Sequence, residues 1–143
     1  MKKVDIFTDG GCKGNPGPGG YGCILKQNDH IKELKGGVPQ TTNNIMEMTA
    51  VVVALKQLNG PCDIRLTTDS QYVVKGMTEW MKGWIRNGWQ TASRQPVKNK
   101  ELWQELDELS KPHTIKWIWV KGHSGHPENE RCDQLANEAI AEL

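Results

Sequence analysis

Acidic side chains stand in this sequence where a divalent cation could use them. Asp9 and Asp69 each close a short apolar run, VDIFTD and DIRLTTD, so each carboxylate falls at a strand end. In the first run Val4, Ile6 and Thr8 share one face of an extended chain and Asp5, Phe7 and Asp9 the other. Taken alone, Asp9 also suits the start of a turn. Glu47 lies in the first turn of a run with helical spacing, where Asn44-Ile-Met-Glu47 also fits a capping box. On a helical wheel Asp133 sits roughly 90° from the centre of its apolar stripe, at the margin beside Ile140, whereas Glu130 takes the outer face. Carboxylates directed at one rim repel and raise one another's pKa unless a cation neutralises them. An all-oxygen donor set favours Mg²⁺ or Mn²⁺ over zinc or copper, and Mg²⁺ takes phosphate oxygens readily. The chemistry this predicts is phosphoryl transfer, with one ion activating water and a second stabilising the leaving oxygen.

Other site chemistries fit less well. Cys12, Cys23, Cys62 and Cys132 form no C-x-x-C pair, and His123 and His126 near Cys132 lack a second close ligand pair for zinc. Free thiols are expected. The glycine-rich stretch Gly10–Gly22 lacks the Gly-Lys-Ser/Thr of a P-loop and precedes a strand-like run, which argues against a nucleotide cradle. It reads as a turn joining two strands, or as a loop whose backbone approaches a ligand. The net charge of +1 is uninformative, but Trp80 to Lys100 carries Lys82, Arg86, Arg94, Lys98 and Lys100 with no acid. That stretch also holds Trp80, Trp84 and Trp89, so the phosphate belongs to a polymer. Packing of Trp80 against Trp84, four residues apart, is the other use of those rings.

The elements that must position these groups follow from periodicity. Val4–Asp9, Tyr21–Gln27 and His30–Val38 predict an antiparallel meander, with Asn28-Asp29 as the second turn. Ile45, Met48, Val51, Val52, Leu55 and Leu58 recur at helical spacing, behind the capping candidates of TTNN and before Asn59-Gly60-Pro61. Asp63–Thr68 is a strand, Ser70–Met81, Trp80–Gly88 and Val97–Leu109 are helices, Thr114–Val120 is a strand, and a last helix opens at Pro127. Strands first and alternating helices and strands afterwards imply a mixed sheet with helices on its faces. Ligands gather at the carboxyl ends of parallel strands, where Asp9 and Asp69 fall. With 143 residues, no repeat and no low-complexity tract, one domain over 1–143 is expected. The MKK start and the lack of a long apolar run predict neither a signal peptide nor a membrane span, hence a cytoplasmic protein.

Several runs together resemble the bacterial-type ribonuclease HI family: TDGGCKGNPGPGGYG, TTNNIMEM, TDSQYV, the W-x-x-x-W-x-x-x-x-W insertion, VKNKELW and VKGHSGHPENERCDQLA, in that order. The resemblance implies an α/β ribonuclease H-like fold, a five-stranded mixed sheet flanked by helices, with a basic helical handle at about 80–100. It implies an endonuclease that hydrolyses the RNA strand of RNA–DNA hybrids with two Mg²⁺ ions, Mn²⁺ substituting, and leaves 3′-hydroxyl and 5′-phosphate ends. Asp9, Glu47, Asp69 and Asp133 would hold the metal, and His123 would assist proton transfer or product departure. His126 inherits no such role. Cys12, Asn15, Asn43, Asn44 and Gln71 would line the minor groove and read 2′-hydroxyls. Thr42 and Asn99 would receive a DNA-strand phosphate, and Trp80, Trp84 and Trp89 would belong to the handle. A monomer is expected.

The handle departs from many bacterial relatives, which pack it more densely with lysine; here Gln90, Ser93 and Gln95 stand among the charges. Weaker hybrid binding with a shallower salt slope is the expectation. Two rivals remain: a DNA nuclease of the same fold, of integrase or resolvase type, and a hybrid-binding module without catalysis.

Overall fold

The computed structural model describes residues 1–143. Strands β1 (Lys2–Cys12), β2 (Gly17–Gln27) and β3 (His30–Thr41) form the meander, and helix α1 (Asn43–Lys56) follows it directly. Strand β4 (Cys62–Thr68) leads into α2 (Gln71–Lys75), one π-helical turn (Gly76–Trp80) and α3 (Met81–Arg86). Then come α4 (Lys100–Ser110), β5 (Thr114–Trp119) and α5 (Pro127–Ala141). The sheet order is β3-β2-β1-β4-β5, with β1 antiparallel to β2 and parallel to β4, and β4 parallel to β5.

The alternation along β1 sorts the two faces. Val4, Ile6 and Thr8 are buried on the side of α1, whose Met48, Val51, Val52 and Leu55 fill the main core with Ile64 and Leu66 of β4. Trp103 and Leu106 of α4 close that core from outside. On the other face α5 lays Cys132 and Leu135 against Ile24, with Phe7 at the margin. Arg131 of α5 grips Glu33 of β3 through two 2.9 Å hydrogen bonds, which holds the Glu33 carboxyl below its ordinary range. All four cysteines are free thiols, and burial pushes Cys23 up to about 12.

Four sequence expectations need correction. The glycine-rich stretch is mostly strand: β1 runs on to Cys12 and β2 starts at Gly17, not Tyr21. Its glycines serve the approach of a helix backbone. A Cβ on Gly22 would stand 2.5 Å from the Cys132 carbonyl and 2.6 Å from the Leu135 Cβ, and one on Gly20 would strike the Ala136 carbonyl. Asn44–Glu47 is not the cap of α1; Thr42 is, its hydroxyl accepting from the Ile45 amide at 3.2 Å. The helices expected over Ser70–Met81 and Trp80–Gly88 form one rod that widens at the π-helical turn. The turn begins at Gly76, where any Cβ would run into the Trp103 indole. Val97–Asn99 is a connector: Val97 is buried, and Asn99 turns left-handed before α4.

Candidate active site

Register brings the acids together. Thr8 pairs with Thr68 as the last step of the parallel β1–β4 ladder, so Asp9 and Asp69 follow side by side where that ladder ends, although β1 itself runs on to Cys12 and Asp9 does not close it as expected. Asp9 also pairs with Gly22 of β2, in the stretch that lies against α5, and α5 supplies Asp133. Glu47 comes from the first turns of α1, on the opposite side of the sheet. Together with His123 these four carboxylates line one cleft of about 350 Å³.

Electrostatics follow from that convergence. Asp9 is only 7% exposed, and its carboxyl is pushed up to about 9 by burial, then by the Asp69 charge and a hydrogen bond shared with Asp69, then by Asp133. The Gly10 amide pulls weakly the other way. Burial also raises Glu47; a hydrogen bond from Ser70 lowers it, and the Asp69 charge raises it further. Hard oxygen donors whose ionisation is opposed in this way fit a divalent cation. No three His, Cys, Asp or Glu side chains are drawn tightly enough to make a complete cage.

Asn43 and Cys12 line the same cleft. The Asn43 side-chain oxygen accepts from the Cys12 amide at 2.7 Å, and Asn15 Oδ1 accepts from the Asn43 amide at 3.1 Å, so β1 and α1 are stitched together here. Asn44 is half-buried in the first turn of α1, and Gln71 is exposed at the start of α2. Thr42 and Asn99 share no hydrogen bond: Thr42 caps α1, and the Asn99 amide donates to the Tyr72 hydroxyl at 3.2 Å. The tryptophans pack against one another and against the core. Ring centroids run Trp80–Trp84 5.8 Å, Trp84–Trp89 6.3 Å and Trp84–Trp103 5.3 Å, so the handle is anchored on the core, while Trp80 stays 37% exposed. His123 is exposed in a left-handed conformation, φ 55°, in the loop before α5. His126 caps α5, its Nδ1 accepting from the Asn129 amide at 3.2 Å.

Sequence reasoning missed four neighbours. Lys13 and Asn137 line the cleft, and Asn137 donates to Asp133 Oδ2 at 3.4 Å, a contact that the i, i+4 spacing on one helix could have signalled. Trp119 donates its indole N–H to the Asp69 carbonyl, and Gly122 faces the Asp69 carboxylate. No periodicity marks those two.

Carboxylates from the end of a parallel ladder and from two helices, gathered at the rim of a mixed sheet, define an α/β enzyme with an acidic active-site cleft. The chain belongs to the ribonuclease H family, whose model, described as RNase H, matches residues 1–141. It is 62% identical over 141 residues to the ribonuclease H of Aeromonas hydrophila, covering 99% of this chain and 92% of that one. To the ribonuclease H of Hydrogenovibrio crunogenus it is 59% identical over 143 residues, 100% of this chain and 99% of that one. Among solved structures it resembles LC9-RNase H1, described as a type 1 RNase H with the type 2 active-site motif. The TM-score is 0.90 at 32% identity, covering 99% of this chain and 74% of that one.

Proposed function

We propose that this chain, as a single domain over residues 1–143, is an endonuclease that hydrolyses the RNA strand of RNA–DNA hybrids with little regard for sequence. The observation that carries the reading is the convergence of Asp9, Glu47, Asp69 and Asp133 in one cleft, with the ionisation of Asp9 and Glu47 opposed by burial and by each other's neighbours. These four would hold Mg²⁺, with Mn²⁺ able to replace it. When bound, the ions neutralise charge at the scissile phosphate and make water a better nucleophile.

The residues of the chain do the rest. Water adds to phosphorus and the bond to O3′ breaks, leaving a 5′-phosphate and a 3′-hydroxyl; His123, exposed at the mouth of the cleft, can pass a proton to the departing oxygen. Cys12, Asn15, Asn43, Asn44 and Gln71 present neutral polar groups suited to 2′-hydroxyls. Thr42 and Asn99 meet the DNA-strand phosphate, and Trp80 with Trp84 and Trp89 carries the handle along the duplex. The protein works as a monomer in the cytoplasm; no helix is long and apolar enough to cross a membrane.

The test is cleavage of a hybrid labelled on its RNA strand, with Mg²⁺ or EDTA, beside DNA duplex, RNA duplex and the D69N variant. Mg²⁺-dependent cuts confined to the hybrid and lost in D69N are expected. Equal cleavage of duplex DNA, or wild-type turnover by D69N, would overturn the assignment.

A further inference from the structure

Asp69 stands one residue beyond β4, outside the ladder that fixes the strand before it. Two contacts reach it from β5 and the loop that follows. The Trp119 indole N–H donates to the Asp69 carbonyl oxygen at 3.0 Å. Three residues later, Gly122 lies so close that a Cβ would stand 2.7 Å from Asp69 Oδ2. Between them the Val120 amide donates to the Thr68 carbonyl at 3.0 Å, so the chain leaving β5 runs alongside the chain leaving β4. Trp119 as a residue is 43% exposed, so it is not a core side chain. A large side chain left half in water while its one polar atom holds the main chain of a site carboxylate has a positional task. The clasped segment continues directly into His123.

We infer that Trp119 is a positioning residue: its indole N–H fixes the main chain of Asp69, and Gly122 leaves the room in which the carboxylate takes its working orientation. Segment 119–123 thereby links the orientation of Asp69 to the loop that carries His123. This rests on the reading of Asp69 as a metal-holding carboxylate. Trp119 itself touches neither substrate nor ion.

The test compares wild type, W119F, W119A and G122A. Phenylalanine keeps an aromatic ring but loses the N–H together with the five-membered part of the indole, so W119F should lower kcat by about tenfold, the scale of one net hydrogen bond, with KM for the hybrid unchanged. In the substrate-free protein, Mg²⁺ titration followed by the Asp69 and Ser70 amide NMR signals should require a correspondingly higher concentration, with Tm near that of wild type. G122A should act in the same sense, and the double variant should lose less than the product of the two single losses, because both act through one carboxylate. Wild-type kcat and Mg²⁺ response in W119F would overturn the inference. So would a loss confined to KM and seen only in W119A, which would make the ring a hybrid contact, or a loss that tracks Tm and vanishes on cooling. If wild-type protein leaves hybrid intact while the Mg²⁺ titration still separates W119F from it, the assigned activity fails and the positioning role stands.

Discussion

At the scale of the residue, Asp9 is the most buried of the four cleft acids and the one whose ionisation is most strongly opposed, and its linkage to stability has a definite sign. A carboxyl whose folded pKa lies above its unfolded value binds more protons when folded, so its stabilising contribution is complete below about 3.8 and lost as pH rises through about 9. In EDTA, Tm should therefore fall across that window more steeply for wild type than for D9N. D9N should be the more stable of the two near pH 8, and it should not cut hybrid. Mg²⁺ should raise the Tm of wild type at that pH and do little for D9N, because a cation offsets a repulsion the amide no longer has. Differential scanning fluorimetry over pH, with and without Mg²⁺, measures all of this; a D9N protein less stable than wild type in EDTA would contradict it.

At the scale of the element, the junction of β2 with α5 carries the heaviest constraint. Gly20 and Gly22 let a helix backbone lie directly on a strand, and that helix brings Asp133. G22A should cost about 1–3 kcal/mol, as overpacking does, and should lower kcat as well, because α5 can relieve the clash only by moving its carboxylate. A variant with lowered Tm and unaltered kcat would show that α5 and the site are independent. This is also where sequence reading was least informative. The strands, the order of helices and the position of Asp69 just past β4 were legible because alternation and helical spacing repeat over many residues, whereas β1 runs three residues beyond Asp9. The use of the glycines was not, because a run of residues without side chains leaves no record of what fills the space. Glu47 was ambiguous for a related reason: its position fits a capping box, and only the observed cap, Thr42, releases it for the cleft. The π-helical turn leaves no periodic signal either; it becomes intelligible only when Gly76 meets Trp103.

At the scale of the whole molecule, a net charge of +1 conceals a division of labour between an acidic cleft and a basic handle. The handle's rings are tied into the core, so its shape does not depend on the charges it displays. Adding lysine should therefore change affinity without changing fold. The triple variant Q90K/S93K/Q95K should bind hybrid more tightly at low salt, and the slope of log K against log salt should steepen by up to about 0.9 for each new phosphate contact, taking the B-DNA value. Fluorescence anisotropy in Ca²⁺ or EDTA across a salt series reads this directly. An unchanged slope would place those positions away from the duplex. The ordered set of motifs was legible at this scale, and membership of the ribonuclease H family follows from it.

The four acids also carry a consequence for how the protein comes into being. Asp9 lies on the first strand and Asp133 on the last helix, and α5 rests on β1, β2 and β3, elements that leave the ribosome long before it. The cleft therefore lacks a wall until the final helix has docked. A partly folded chain therefore cannot bring the four acids together, and the site is completed only when α5 packs on the sheet.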